Sequence, residues 1–426
     1  MRILLVAWGS RGDVQPFVAL GLGLRAAGHE VTVAATQDFA EWIRGLGLGH
    51  AQFPVSVAEL VRTDLGRRWL GGASTTTVGE LRLMRQVSEL SADPLVTTLL
   101  AAAPGHDLVV SSTLSFDACW SLARATRVRH AIALFAPVLQ SRLGSSYVYA
   151  VRPRRRSLVN LVAGSLTATA VHPVVAPVGA ELRRRLGLPR PTPWQLAQDI
   201  RSTPVLLAAS PQVVPPAPDW PMPVTTTGYW RLADEDRPAE ERTPDPVLTD
   251  FVTAGPPPVY VGFGSMSTAA PEQDSRLVAE AITRAGVRAV VLRGHADLDP
   301  APHLPAQTRD DVLVVDRAPH AWLLPRCAAV VGHGGAGTTA AALHAGVPQL
   351  VVPHMGDQPY WGRRVHELGV GPQPVPRRAL TADRLAVGIR ATGLPHHRRA
   401  AAALAATLRL EDGVATAVRL LATGLG

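Results

Sequence analysis

Short apolar runs separated by amphipathic stretches recur along most of the chain. The run Ile3–Ala7 predicts a first strand; the loop "WGSRGDVQP" and a helical pattern from about Val14 to Ala27 follow, closed by Gly28. Val31–Ala34 predicts the next strand. A strand–helix–strand opening of this kind implies a parallel pair joined by a right-handed crossover. Further strands are predicted at Leu108–Ser111, Ala131–Leu134 and Val205–Ala208, whereas the stretches 56–97 and 140–200 are less periodic and are placed only loosely.

At Pro211 the pattern breaks. "PQVVPPAPDWPMPVTTTGYW" holds too much proline for a helix or a central strand and reads as a linker. A second alternating series then predicts strands at Val259–Phe263, Ala289–Leu292, Val312–Val315, Ala328–Val331 and Gln349–Val352. The prediction is therefore α/β: two Rossmann-like, doubly wound parallel-sheet domains facing each other across a cleft. The boundaries read as 1–210 for the first domain, 211–235 for the linker and 236–405 for the second domain. A C-terminal helical segment, 406–426, can belong to either half.

Composition narrows the class. The chain has 426 residues, of which 47% are hydrophobic, and this fits two globular domains rather than disorder. The formal charge is +8, yet every one of the 42 basic positions is Arg, a bias typical of GC-rich coding sequence, so the charge says little about partners. The densest basic run, Arg152–Arg156, has no interleaved aromatics and reads as a solvated loop. No nucleic-acid partner is expected, and membrane contact is expected to be peripheral at most. Cys119 and Cys327 each lie in an apolar run and read as reduced core residues. The N-terminal apolar stretch is too short for a secretory signal, and no uninterrupted apolar run has spanning length. The expectation is a soluble, cytoplasmic protein.

The densest chemistry begins where "CAAVV" runs into "GHGGAGTT". Glycines at the carboxyl end of a parallel strand let backbone N–H groups approach a ligand, and a helix starting near Thr338 adds unpaired donors and a positive dipole. Together they form an anion site suited to a pyrophosphate, to which His333 and the Thr338 hydroxyl add donors. The plainer reading is a tight strand–helix turn with Thr338 as its cap. One unit later, "PHMGDQPYWG" follows another predicted strand. There Asp357 accepts and Gln358 both donates and accepts, an inventory that fits vicinal hydroxyls. Two common alternatives fail. The first turn, Gly9-Ser10-Arg11-Gly12-Asp13, lacks the dinucleotide spacing, and a P-loop needs a Lys that the chain does not contain. No His, Asp or Glu set has metal-ligand spacing, so neither a metal nor a cofactor is expected.

The segment from Arg317 to Gly371, together with "GSRGDVQP", resembles family-one glycosyltransferases with the GT-B fold. Within them it is similar to the branch holding sterol glucosyltransferases and the actinobacterial enzymes that glycosylate antibiotic and macrolide aglycones. The resemblance implies a nucleotide-sugar donor, UDP or dTDP, held mainly by the second domain, and an acceptor held mainly by the first. "RAPH" then places Arg317 and His320 beside the nucleotide base. Ser265, His333, Gly334, Gly335, Gly337 and Thr338 match the diphosphate contacts, and Asp357 with Gln358 matches the pair that holds the sugar hydroxyls. Ala341 stands where plant members carry a ribose-binding Glu.

By the same resemblance, Asp13 is the catalytic base, with Ser10 and Arg11 as further diphosphate contacts. The bland reading of Asp13 is a helix N-cap ahead of "VQPFVALGLGL". A base need only be near the acceptor hydroxyl and ionised, so the two roles are compatible. Trp42, Phe53, Trp69, Leu70, Met84, Phe116, Trp120, Phe135 and Trp194 offer apolar surface for a macrolide, polyketide or sterol-like acceptor. Two rivals from other classes are a nucleotide-sugar 2-epimerase and a non-catalytic partner protein of the same fold.

Overall fold

The computed structural model describes residues 1–423 apart from 57–58, 61–62, 67–76, 144–154, 265 and 267–269. Ser265, Trp69, Leu70 and Arg152 to Arg154 thus lie outside the described residues. The rest forms two compact units, one drawn from Met1–Gly66, Ser74–Ala233 and Glu411–Gly426, the other from Asp234–Leu410.

The first unit is built on seven parallel strands in the order β3-β2-β1-β4-β5-β6-β7. They are β1 (Arg2–Val6), β2 (Glu30–Thr36), β3 (Gly49–Phe53), β4 (Leu108–Ser111), β5 (Arg129–Leu134), β6 (Val205–Leu207) and β7 (Val224–Thr226). Ile3, Leu4, Leu5 and Val6 are wholly buried, as a parallel strand covered on both faces requires. The order of strands reverses at β1, which has β2 on one side and β4 on the other. Ligands of doubly wound sheets bind outside the carboxyl ends of the strands at such a point. There the loop after β1 leads into α1 (Arg11–Ala26).

The two edge strands were not legible in the pattern. In β3, "GHAQF", only Phe53 is buried, so the apolar signal is a single residue. β7 lies inside the proline-rich stretch read as a linker, and this corrects that reading. An edge strand tolerates flanking prolines because one side of its ladder is unpaired, and Val205 donates to the Pro223 carbonyl at 3.0 Å. Residues 211–233 accordingly belong to the first unit. The helix α7 (Gly413–Ala422) belongs to it too, since Ala417 and Leu421 enter the core that α1 shares. A Cβ on Gly23 would meet Val414 at 2.4 Å, so glycine sets this close approach.

On the opposite face of the sheet lie α2 (Thr77–Ala102), α3 (Phe116–Thr126) and α4 (Leu158–Arg185). A buried ion pair joins α3 and α4, in which Arg183 donates to Asp117 at 2.8 and 3.2 Å and to the Ser121 hydroxyl at 2.8 Å. Removing one partner strands the other charge, so Asp117→Ala is expected to cost about 3–5 kcal/mol in urea unfolding. A loss below about 1 kcal/mol would contradict this account of the pair. The helix α4 is not an uninterrupted apolar run, since Asn160, Ser165, Thr167, Thr169 and His172 break it. It has 28 residues, and by length and composition alone it is long and apolar enough to cross a membrane.

Most of the aromatics offered as acceptor surface are committed within the unit. Phe53 and Trp120 are buried in the core, and Phe135 packs edge-on against Phe17 at 5.4 Å. Phe116 stacks on His130, and Trp42 lies under the Arg11 guanidinium at 4.9 Å. Trp194 is 70% exposed.

The second unit has five parallel strands in the order β10-β9-β8-β11-β12. They are β8 (Val259–Gly262), β9 (Ala289–Leu292), β10 (Val312–Val315), β11 (Ala329–Gly332) and β12 (Gln349–Val351). Here the order reverses at β8, so the carboxyl ends of β8 and β11, "GFG" and "GHGG", sit together at the switch point. Cys119 and Cys327 are free and buried, one in each unit, and burial pushes both thiols up to about 12. Among the described residues, no group of three or more His, Cys, Asp or Glu is placed to hold a metal ion.

Candidate active site

In the second unit, β11 ends at Gly332 and α5 (Ala336–Ala345) begins after three intervening residues. Gly335 is the N-cap and gives no side-chain cap, so Thr338 is the third residue of the helix rather than its cap or its start. The first-turn N–H groups of Ala336, Gly337 and Thr338 therefore have no intrahelical acceptor, and the dipole of α5 adds to them. His333 is folded into this turn and buried. The glycines around it are spaced for its ring. A Cβ on Gly335 would meet His333 Nε2 at 2.4 Å, and one on Gly264 would meet Cε1 at 2.7 Å. Gly334 has φ +86°, and a Cβ there would meet Val351 at 2.5 Å. The buried Nδ1 of His333 has no hydrogen-bond partner among the described residues. Glycines that admit backbone N–H groups, a helix start with unpaired donors and an imidazole packed against it together make a turn able to bind an anion.

Asp357 and Gln358 sit at a second helix start, α6 (Gln358–Glu367), with Asp357 as N-cap. One Asp357 oxygen accepts from the Trp361 indole at 2.7 Å. Burial raises the pKa of this carboxyl, and the indole bond pulls it partly back. The Gln358 carbonyl is already committed, accepting from the backbone N–H of His354 at 2.7 Å and of Met355 at 3.1 Å. What the side chain retains for a hydroxyl is its amide NH2, which faces the Met266 sulfur at 3.4 Å. His354, Trp361 and Met266 were missed from sequence; an i, i+4 Asp–Trp pair at a helix start was the available signal.

His320 opens a short helix after β10, and its Nε2 lies 2.9 Å from the hydroxyl of the fully buried Tyr260 on β8. Arg317 is exposed. His354 and His320 lie close enough to His333 to disfavour its charge. Burial, with those neighbours, pushes His333 down to about 4, and burial and Arg377 push His354 down to about 4. Burial does the same to His130 in the first unit. The unfolded chain titrates near 6.5, so it takes up these protons first as the pH falls. Stability present above pH 6.5 is then expected to be lost progressively towards pH 4, by at most about 3 kcal/mol per histidine. Denaturation curves between pH 7 and 5 check this, and a flat profile would contradict it.

In the first unit, α1 starts earlier than the pattern predicts, and Ser10 is its N-cap. This corrects the reading of Asp13 as the cap. Asp13 is the third helical residue, and its carboxylate reaches back to accept from the Ser10 N–H at 2.8 Å and the Ser10 hydroxyl at 3.1 Å. Gly9 makes room for it. Its φ is +138°, and a Cβ there would lie 2.2 Å from the carboxylate oxygen. Arg11 bonds Gln15 at 3.1 Å and lies over Trp42, so it is engaged within its own unit.

Comparison with known proteins adds the family. Residues 3–100 match the glycosyltransferase family 28 N-terminal domain, and residues 267–415 match the C-terminal domain of erythromycin biosynthesis protein CIII-like proteins. The chain is 30% identical to the sterol 3-beta-glucosyltransferase UGT80B1 of Arabidopsis thaliana, over 98% of this chain and 67% of that protein. It is 31% identical to a sterol 3-beta-glucosyltransferase of Cryptococcus neoformans over 99% of this chain. It spans only about a quarter of that fungal relative's length, 27%. Among solved structures, the kitacinnamycin glycosyltransferase aligns with a TM-score of 0.70 at 19% identity, covering 99% of this chain and 98% of that one. The glycosyltransferase VinC, solved with dTDP, aligns at 0.66 and 23%, covering 99% of each.

Proposed function

Because the chain belongs to the GT-B glycosyltransferases, matching the family-28 N-terminal domain over residues 3–100 and the EryCIII-like C-terminal domain over residues 267–415, we propose that it is an inverting, nucleotide-sugar-dependent hexosyltransferase. It moves a hexose or deoxyhexose from a UDP- or dTDP-sugar to a hydroxyl of a lipophilic natural product, a macrolide or polyketide aglycone. The observation that carries the reading is the α5 turn, whose first N–H groups have no intrahelical acceptor, with the buried His333 ring packed by its Nε2 edge against the N-cap Gly335. As the glycosidic bond to the diphosphate breaks, negative charge grows on its oxygens. The α5 N-terminus and His333 meet that charge where it develops. His333 does so as a neutral imidazole donor, since burial holds its titration near 4. Asp357 and the Gln358 amide orient the sugar, and the strip from Arg317 to His320 takes the base. Asp13, held by Ser10, takes the proton of the acceptor hydroxyl as it attacks the anomeric carbon from the face opposite the diphosphate.

The names of the curated relatives favour a second acceptor, a sterol-like alcohol. Two measurements test the proposal. Calorimetric titration of UDP and dTDP is expected to show saturable binding that His333→Ala weakens. Proton NMR of the glycoside formed from an α-linked donor is expected to show the β anomer. Retention of the α configuration would overturn the mechanism, and an absence of nucleotide binding would overturn the donor assignment.

A further inference from the structure

The helix α4 is unusual for one lying on the outside of a unit. From Leu158 to Ala180 it contains no Asp, Glu or Arg, about 33 Å of helix without a fixed charge. Asn160, Gly164, Thr167, Val174 and Val178 turn inwards. On the outer side Leu158 is 61% exposed, Val159 45%, Val162 57% and Leu166 67%. At 3.6 residues per turn these four fall within an arc of about 100°, away from the inward set. Leu143, 39% exposed, extends the patch. It follows Arg142, whose carbonyl accepts from the Ser157 N–H at 2.8 Å and the Asn160 amide at 3.0 Å, so it is tied to the start of α4. Five of the large hydrophobics that this protein exposes are thus collected at one end of one helix. Single exposed apolar side chains are ordinary, but a contiguous stripe marks a surface that something covers.

We infer that this stripe is a membrane-docking surface, on which α4 lies in the interface of an anionic bilayer. Two observations select that occupant. Arg155 and Arg156, both exposed, stand immediately before Ser157, the N-cap of the helix, so cationic side chains adjoin the apolar stripe. A row of aliphatic side chains flanked by guanidinium groups matches acyl chains beneath anionic headgroups. The outer face of a helix is also convex, which suits a surface and not a small-molecule pocket. Because the inward face packs on the core of its own unit, α4 lies on the bilayer and does not span it. No residue of the donor site enters the argument, so it stands apart from the proposed chemistry.

The test is co-sedimentation of the full chain with vesicles of phosphatidylcholine alone, or with one lipid in three replaced by phosphatidylglycerol. The wild-type protein is expected to partition onto the anionic vesicles and to be released by salt. Val162→Glu with Leu166→Glu is expected to weaken partitioning by about tenfold or more. Arg155→Glu with Arg156→Glu is expected to do the same, since each cation near the surface contributes about fivefold. Melting temperatures equal to wild type confirm that the variants fold, and Leu166→Gln serves where the glutamates do not. Failure of the wild type to bind either vesicle, or equal binding by wild type and variants, overturns the inference. So does a concentration-dependent dimer, seen by light scattering, that Leu166→Glu abolishes while vesicle binding is absent. That result gives the face to a second copy of the chain.

Discussion

Asparagine at position 13 is expected to lower kcat by about a hundredfold or more, the range for loss of a positioned general base. The affinity for nucleoside diphosphate should stay within about twofold, because Asp13 lies in the other unit from the α5 turn. The choice of asparagine matters. Its side-chain carbonyl can still accept from the Ser10 N–H, the bond Asp13 makes at 2.8 Å, so the start of α1 keeps its closure. Stability is therefore expected to change by less than about 1 kcal/mol. Single-turnover rates and thermal unfolding on the same preparation separate the two roles. Unchanged turnover would leave Asp13 with a purely structural task.

The second large effect is expected at His333. Removing its imidazole takes away a donor aimed at developing charge, which is worth about 10²–10³ in kcat. His333→Ala should also weaken nucleoside diphosphate binding. Gly335→Ala gives an independent check that leaves the imidazole in place. Its Cβ would lie 2.4 Å from Nε2, so the ring must move, and activity should fall in the same direction. Because burial holds His333 near 4, kcat is expected to show no acid limb from this residue between pH 5 and 8. A limb near 6.5 that disappears in His333→Ala would contradict the neutral imidazole. Normal turnover in His333→Ala would remove the diphosphate assignment altogether.

Much of the fold was legible because its strands are parallel and covered on both faces. That geometry writes them as unbroken apolar runs such as Leu108–Ser111 and Val259–Gly262. The edge strands of the first sheet carry no such signal, and β3 and β7 were lost for that reason, whereas the edge strands β10 and β12 of the second sheet are apolar and were legible. The proline-rich stretch before β7 looked like a linker because sequence cannot show which side of a strand is unpaired. Helix starts were displaced for a related reason. Ser10 and Asp13 are both good cap residues, and only the backbone reveals that Ser10 caps while Asp13 reaches back.

The candidate site was legible to the extent that its residues are consecutive. The turn from His333 to Thr338 and the pair Asp357–Gln358 sit where single strand–helix units place them. What sequence could not show is which polar atoms are already spent. The Gln358 carbonyl serves the backbone of His354 and Met355, and one Asp357 oxygen serves Trp361. Likewise the stretch 140–200 could be placed only loosely, because Asn, Ser, Thr and Pro residues interrupt the apolar positions of α4. The aromatics offered for the acceptor were mostly core, as large aromatics tend to be.

The most direct test of the central claim, sugar transfer from a nucleotide donor, is mass spectrometry with simultaneous assay of nucleoside diphosphate. UDP-glucose and a panel of dTDP-deoxysugars would be supplied with and without pooled macrolide, polyketide and sterol alcohols. The account predicts diphosphate release that depends on an acceptor, matched by a gain of one sugar residue in that acceptor's mass. Sugar isomerisation or diphosphate release that ignores the acceptor would contradict it, as would tight nucleotide binding with no turnover of any donor.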